Sequence, residues 1–294
     1  MSEITANKSV RSELQLSTAS RFQQWRLLKD LLARYSIMVS GWGIIVAIVL
    51  IFFYLLYVVV PLFIPASAES KAQYGLPGSD QGKTLLLALE EQNQIAVRVT
   101  DQSQAVFFKA ETGEVILNSP LKVPAEAKIA SFSAQDGGEG FLALGLNNGR
   151  MVVAQHRYQV SFDGSKRVIT PSISYPLGEE PIVIDAGGMP LAKVSLRAND
   201  DETTLVGIVD SKLFIVAFTR EKSLFGEATL ERAESQLALP AANIEYVLID
   251  KEQQSLYLVS SSGQLTLYDI RDKSAPVLKD QLELLPGGVK LTSL

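Results

Sequence analysis

SLYLVSSSGQLTLYDI, residues 255–270, is an apolar run, a polar turn ending in glycine, and a second apolar run. β-favouring apolar runs on both sides of a short polar turn predict a hairpin. The same form occurs three times upstream, as IAVRVTDQSQAVFFKA (95–110), FLALGLNNGRMVVAQH (141–156) and TLVGIVDSKLFIVAFT (204–219). The starts of the four windows lie 46, 63 and 51 residues apart.

Those intervals lie close to the ~40–50 residues of one propeller blade. The expected fold is therefore mainly β: a propeller-like repeat domain of the WD40 or quinoprotein-like kind, with an antiparallel sandwich as the alternative. The 255–270 window is expected as the outer hairpin of its blade. Turn signals recur at Pro77-Gly78, Asp136-Gly137-Gly138, Asn147-Asn148-Gly149, Asp163-Gly164 and Ser262-Gly263. The best helical candidate in this region, EATLERAESQLAL (227–239), is short. Closing residues GGVKLTSL (287–294) read as a turn and the start of another strand. An open array exposes strand edges, so the β domain at 81–294 is expected to be incomplete at its C-terminus.

Upstream, residues 35–63 (YSIMVSGWGIIVAIVLIFFYLLYVVVPLF) hold no charged side chain. A bilayer core takes about 20 apolar residues in a helix, whereas a cleavable signal uses about 7–15. A transmembrane helix is expected at 35–64 and a linker at 65–80. Residues 1–34 carry six basic and three acidic side chains, +3, which leaves −8 for the rest of a chain whose net charge is −5. Basic flanks remain in the cytoplasm. The expected placement is the bacterial inner membrane, with 1–34 cytoplasmic and the β domain periplasmic. Within 1–34, Phe22, Trp25, Leu28, Leu31 and Leu32 alternate with Arg26, Lys29 and Arg34, the pattern of an interfacial helix. Ser36, Ser40, Gly43 and Ala47, extended to Tyr54, form a small-residue stripe suited to close helix packing in lipid.

Little in the chain suggests chemistry. There is no cysteine, hence no disulfide, thiol nucleophile or thiolate metal site. The acidic body argues against a nucleic-acid partner. GSDQGKT (78–84) has three residues between its glycines where a phosphate-binding loop needs four. His156 is the sole histidine, and the acidic clusters Glu179-Glu180 and Asn199–Glu202 lack calcium-loop spacing. No catalytic, cofactor-binding or metal residue is expected, nor any cofactor or enzymatic activity.

The order of basic N-terminus, RLLKDLLARY (26–35), small-residue span and IFFYLLYVVVPLF (51–63) resembles the start of the large PstC-type permeases of gamma-proteobacterial phosphate ABC importers. The resemblance implies a propeller-like periplasmic insertion, and as partners the other permease helices and subunits, an ABC ATPase and a periplasmic phosphate-binding protein. It carries over no functional residue, because 66–294 contains no second run of about 20 apolar residues to form later permease helices. The alternative reading is a bitopic inner-membrane scaffold or sensor whose propeller binds envelope proteins.

Overall fold

The structure is a computed structural model that describes residues 3–63, 69–135, 139–164, 166–221 and 229–285. Side chains are described from residue 25 onward, those of 166 and 221 excepted. The chain divides into two compact units, Met1–Ser70 and Lys71–Leu294.

The first unit is one helix, α1 (Glu3–Val59), finished by a 3-10 turn at Val60–Phe63. The expected boundary at 34/35, between the basic segment and the spanning helix, falls inside this one helix, whose backbone runs on without a break. No proline interrupts it before Pro61, whose missing N–H and steric demand on Val60 end the α-helical ladder. The side chains of Phe22, Lys8, Arg11 and Arg21 lie outside the described residues. Trp25, Leu28, Leu31 and Leu32 are exposed, and the Lys29 ammonium sits 5.5 Å from the Trp25 ring centre. From Trp25 to Phe63 the helix is long and apolar enough to cross a membrane, and none of it is buried. At 100° per residue the Ser36, Ser40, Gly43, Ala47 and Tyr54 positions share one side of α1.

The second unit holds four antiparallel meanders among the described residues. The first blade comprises β1 (Thr84–Leu89), β2 (Ile95–Thr100), β3 (Gln104–Lys109) and β4 (Val115–Pro120). The second comprises β5 (Ile129–Ala134), β6 (Phe141–Leu146), β7 (Arg150–Asp163) and β8 (Lys166–Ser174), with the short β9 (Ile182–Val183) paired to the start of β7. The third runs β10 (Lys193–Ala198), β11 (Glu202–Val209), β12 (Lys212–Glu221) and β13 (Thr229–Ala238). The fourth runs β14 (Ile244–Ile249), β15 (Ser255–Ser260), β16 (Gln264–Asp269) and β17 (Val277–Glu283). Apart from β9, every strand pairs with a sequence neighbour, so the four main strands of each blade form an up-and-down sheet in chain order.

The four sequence windows are β2–β3, β6–β7, β11–β12 and β15–β16, the middle pair of each blade. Residues 255–270 are therefore the central hairpin, not the outer one. A middle strand packs on both faces and is therefore mostly apolar, which is why these windows stand out. The 227–239 helix candidate is instead strand β13, paired along its length with β12. Its amphipathic composition serves a hairpin whose outer face is wet. Asp136–Gly138 and 287–294 lie outside the described residues.

Odd and even residues of the middle strands serve different blade interfaces. Between the first two blades, Ile95, Val97, Val99, Ala105 and Phe107 meet Leu142, Leu144, Leu146, Val152 and Ala154. The alternate residues Ala143, Met151 and Val153 turn to the third blade, against Leu196, Leu205, Phe214 and Val216. Val206, Ile208, Leu213 and Ile215 then face Ile244, Leu256, Leu258 and Tyr268 of the fourth. Each fully buried aliphatic side chain in these layers is worth about 2 kcal/mol of transfer free energy. Gly145 permits the close approach of the second and third blades, since a Cβ there would stand 2.7 Å from Val194 Cγ1.

Polar ties cross the same interfaces. Gln135 donates through Nε2 to Ala198 O (3.0 Å) and accepts from Ala198 N (2.7 Å). The buried Lys273 ammonium pairs with Glu202 at 2.8 Å and donates to Gln253 O at 2.9 Å. No core cluster among the described residues joins the fourth blade to the first; the blades form an open series.

The open face of the first blade has its own cover. Residues 71–83, most of them expected to be linker, belong to the β unit. Their anchor is Arg98, 1% exposed, in the middle of β2. Its guanidinium donates to the carbonyls of Pro77 (3.1 Å), Gly78 and Gly82, and to Thr84 Oγ1 (2.7 Å). Tyr74 completes the cover, stacking edge-on to Phe108 (6.3 Å) and donating to Ala110 O (2.7 Å).

Candidate functional site

The most site-like feature is a groove of about 750 Å³ between the first two blades. One wall is β1 with its following turn, Leu86–Gln92; the other is Ala134-Gln135, Glu139–Phe141, and His156, Arg157, Tyr158 and Val160 of β7. The groove exists because the blades splay at their inner strands. β5 touches β10 and β10 touches β14, whereas β1 makes no comparable contact with β5.

The backbone polarity of β1 follows from its register. Glu90 N donates to Ile95 O at 3.0 Å, and the ladder then pairs Ala88 with Val97 and Leu86 with Val99. Antiparallel ladders alternate hydrogen-bonded and non-hydrogen-bonded pairs. Leu87 and Leu89 are the non-hydrogen-bonded positions, so their N–H and C=O groups point to the free edge. Their side chains are 60% and 54% exposed.

Opposite this edge, the His156 ring lies edge-on to Tyr158 (5.6 Å), and Tyr158 edge-on to Phe107 (6.1 Å). Gly140, at φ 73°, leaves room for His156; a Cβ there would meet the His156 carbonyl and stand 3.0 Å from its ring. His156 Nδ1 and the Tyr158 hydroxyl are buried without a hydrogen-bond partner among the described residues. Glu90 accepts from Gln92 N and Gln94 N, both at 2.9 Å. Glu139 accepts from Gln135 Nε2 through its carboxylate and from Gln155 Nε2 (2.7 Å) through its carbonyl. The groove thus carries three carboxylates, Glu90, Glu91 and Glu139, against the single cation Arg157.

Burial pushes the His156 pKa below its usual 6.5. Burial, with the nearby negative charge of Glu90, raises the Tyr158 phenol. The imidazolium is therefore favoured in the unfolded chain over the folded one. The His156 contribution to stability is complete above pH about 6.5 and is lost as pH falls below it. Thermal unfolding followed at pH 8, 6.5 and 5 should show a falling Tm that His156→Phe flattens; an identical pH slope in the variant refutes this assignment.

Other features raised by the sequence are structural. In GSDQGKT the Gly78 and Gly82 carbonyls turn toward Arg98, so the loop presents acceptors to a cation, the reverse of an amide cradle for phosphate. Asn199 Oδ1 accepts from the backbone of Asp201 and Glu202, closing a turn. Glu179 pairs with Lys122 at 3.3 Å. Among the described residues no group of three His, Asp or Glu side chains is disposed to hold a metal ion. The sequence singles out His156 but not the groove, whose walls come from two segments, 86–92 and 134–160, that are distant along the chain.

Fold and site together define a mainly β protein with a propeller-like repeat domain, preceded by one N-terminal apolar helix. No family model matches the chain, and no curated protein does. Among solved structures it is similar to the β-propeller domain of Cps50 (Swd1) from Myceliophteria thermophila, at 12% identity and a TM-score of 0.39. That likeness covers 70% of this chain and 57% of the other.

Proposed function

We propose that the chain is a membrane-anchored interaction module: α1 spans the inner membrane with its N-terminus inside, and the blades outside bind other envelope proteins. The observation that carries this reading is the pairing of a helix exposed throughout Trp25–Phe63 with a blade series that leaves strand edges and an inter-blade groove open. A helix so apolar requires lipid or other apolar helices around it. The basic flank Arg26, Lys29 and Arg34 supports the orientation. The module does no catalysis on this reading; it holds partners near the membrane.

A second reading makes the chain the N-terminal portion of a phosphate-type ABC permease, with the blades as an accessory periplasmic domain. It is favoured by the Ser36–Ser40–Gly43–Ala47 side of α1, which suits packing against further helices. In-cell photo-crosslinking separates the two. Photoreactive residues at Phe162 and Leu248 should yield adducts with envelope proteins, and the absence of adducts defeats the interaction module. A residue at Gly43 that captures a multi-span membrane subunit favours the permease.

A further inference from the structure

We infer that the free edge of β1 receives an extended, basic peptide segment of a partner protein, added as one more strand in the groove between the first two blades. The inference rests on the interaction-module reading and names the partner's chemistry. Three independent features converge. First, the non-hydrogen-bonded Leu87 and Leu89 aim their backbone N–H and C=O groups away from β2, the requirement for strand addition. Other inner strands approach one another, but β1 stands apart from β5, leaving about 750 Å³ beside this edge. Width matters here, because a strand sits ~4.8 Å from its neighbour and needs room for side chains on both faces.

Second, the lining suits alternate side chains of an extended chain. Leu86, Phe141 and Val160 provide apolar surface, while the Tyr158 hydroxyl and His156 Nδ1 have no hydrogen-bond partner among the described residues. Third, the charge balance selects the partner. Three carboxylates against Arg157, with burial keeping His156 neutral at pH 7, favour Lys or Arg on the incoming strand and oppose acidic residues.

The full chain in detergent micelles should be titrated with an N-acetylated octapeptide alternating Lys and Val, followed by fluorescence anisotropy. The controls are the Glu/Val analogue and a Lys/Val peptide with proline at every third position, which cannot pair. Binding of the Lys/Val peptide at least tenfold tighter than either control is expected. Leu87→Pro removes an edge N–H without touching the β2 ladder, and should weaken binding at least tenfold with an unchanged circular dichroism spectrum. Glu91→Lys with Glu139→Lys should reverse the preference toward the Glu/Val peptide. Equal binding of all three peptides, no binding, or binding indifferent to Leu87→Pro overturns the inference. So does sedimentation showing that β1 pairs with β1 of a second copy. If photo-crosslinks form elsewhere on the blades while the peptide fails to bind, the interaction-module reading stands and the groove proposal falls.

Discussion

Phe107→Ala should lower the stability of the β unit by about 3–5 kcal/mol, the cost of emptying a fully buried aromatic site. Phe107 is 0% exposed and sits in the layer between the first two blades, with Tyr158 edge-on to it at 6.1 Å. Its neighbours are strand residues held by ladders on both sides, so the walls relax little into the space. For a unit of this size each kcal/mol corresponds to roughly 2–4 °C, so a fall in Tm of about 10 °C is expected. The layers between later blades involve different residues, so partial unfolding of the first blade ahead of the rest is also expected. Differential scanning calorimetry reads both effects. A shift below about 3 °C would mean that packing in this layer contributes little to the stability of the β unit.

Arg98→Met should cost a similar amount, about 3–5 kcal/mol, for the opposite reason: the volume is nearly kept while polar partners are orphaned. Three backbone carbonyls and the Thr84 hydroxyl lose their donor. They cannot find other partners unless residues 71–83 lift from the blade. The first visible consequence should be proteolytic cleavage within 71–83 at temperatures where the wild type resists. Arg98→Lys should rescue only partly, since an ammonium cannot span four acceptors with the guanidinium's planar fork. Resistance of Arg98→Met to protease at that segment would show that the cover is held by Tyr74 and the backbone alone.

These two side chains also mark how far the sequence could be read. Phe107 lies in AVFF, an unbroken apolar run, and such runs identified the middle hairpins because both of their faces are covered. Outer strands were harder. β17 is exposed along its whole length, β4 nearly so, and β13 reads as helix until β12 supplies its register. Turns were legible where glycine supplies the left-handed residue, as at Gly149 and Gly263; the equivalent bends use Ser103 (φ 60°) and Asp210 (φ 48°), which carry no such signature. Arg98 was a signal of another kind. A charged residue inside the apolar β2 must be satisfied by something, yet nothing local names Pro77, Gly78 and Gly82 as its acceptors. Residues 71–80 therefore read as part of the 65–80 linker, because polar, Pro/Gly-rich composition looks the same whether solvated or pinned.

From local pattern alone the sequence determined the apolar helix, its basic flank, the four middle hairpins and their blade-like spacing. Each depends on periodicity within about 20 residues, which the chain displays directly. Tertiary structure alone decided which face of each hairpin meets which blade, the fastening of 71–83 over the first blade, and the groove beside β1. Those depend on contacts between segments far apart in the chain, where geometry rather than composition selects the partner. The free edge of β1 and the carboxylates facing it became a candidate site only when the first two blades were set side by side.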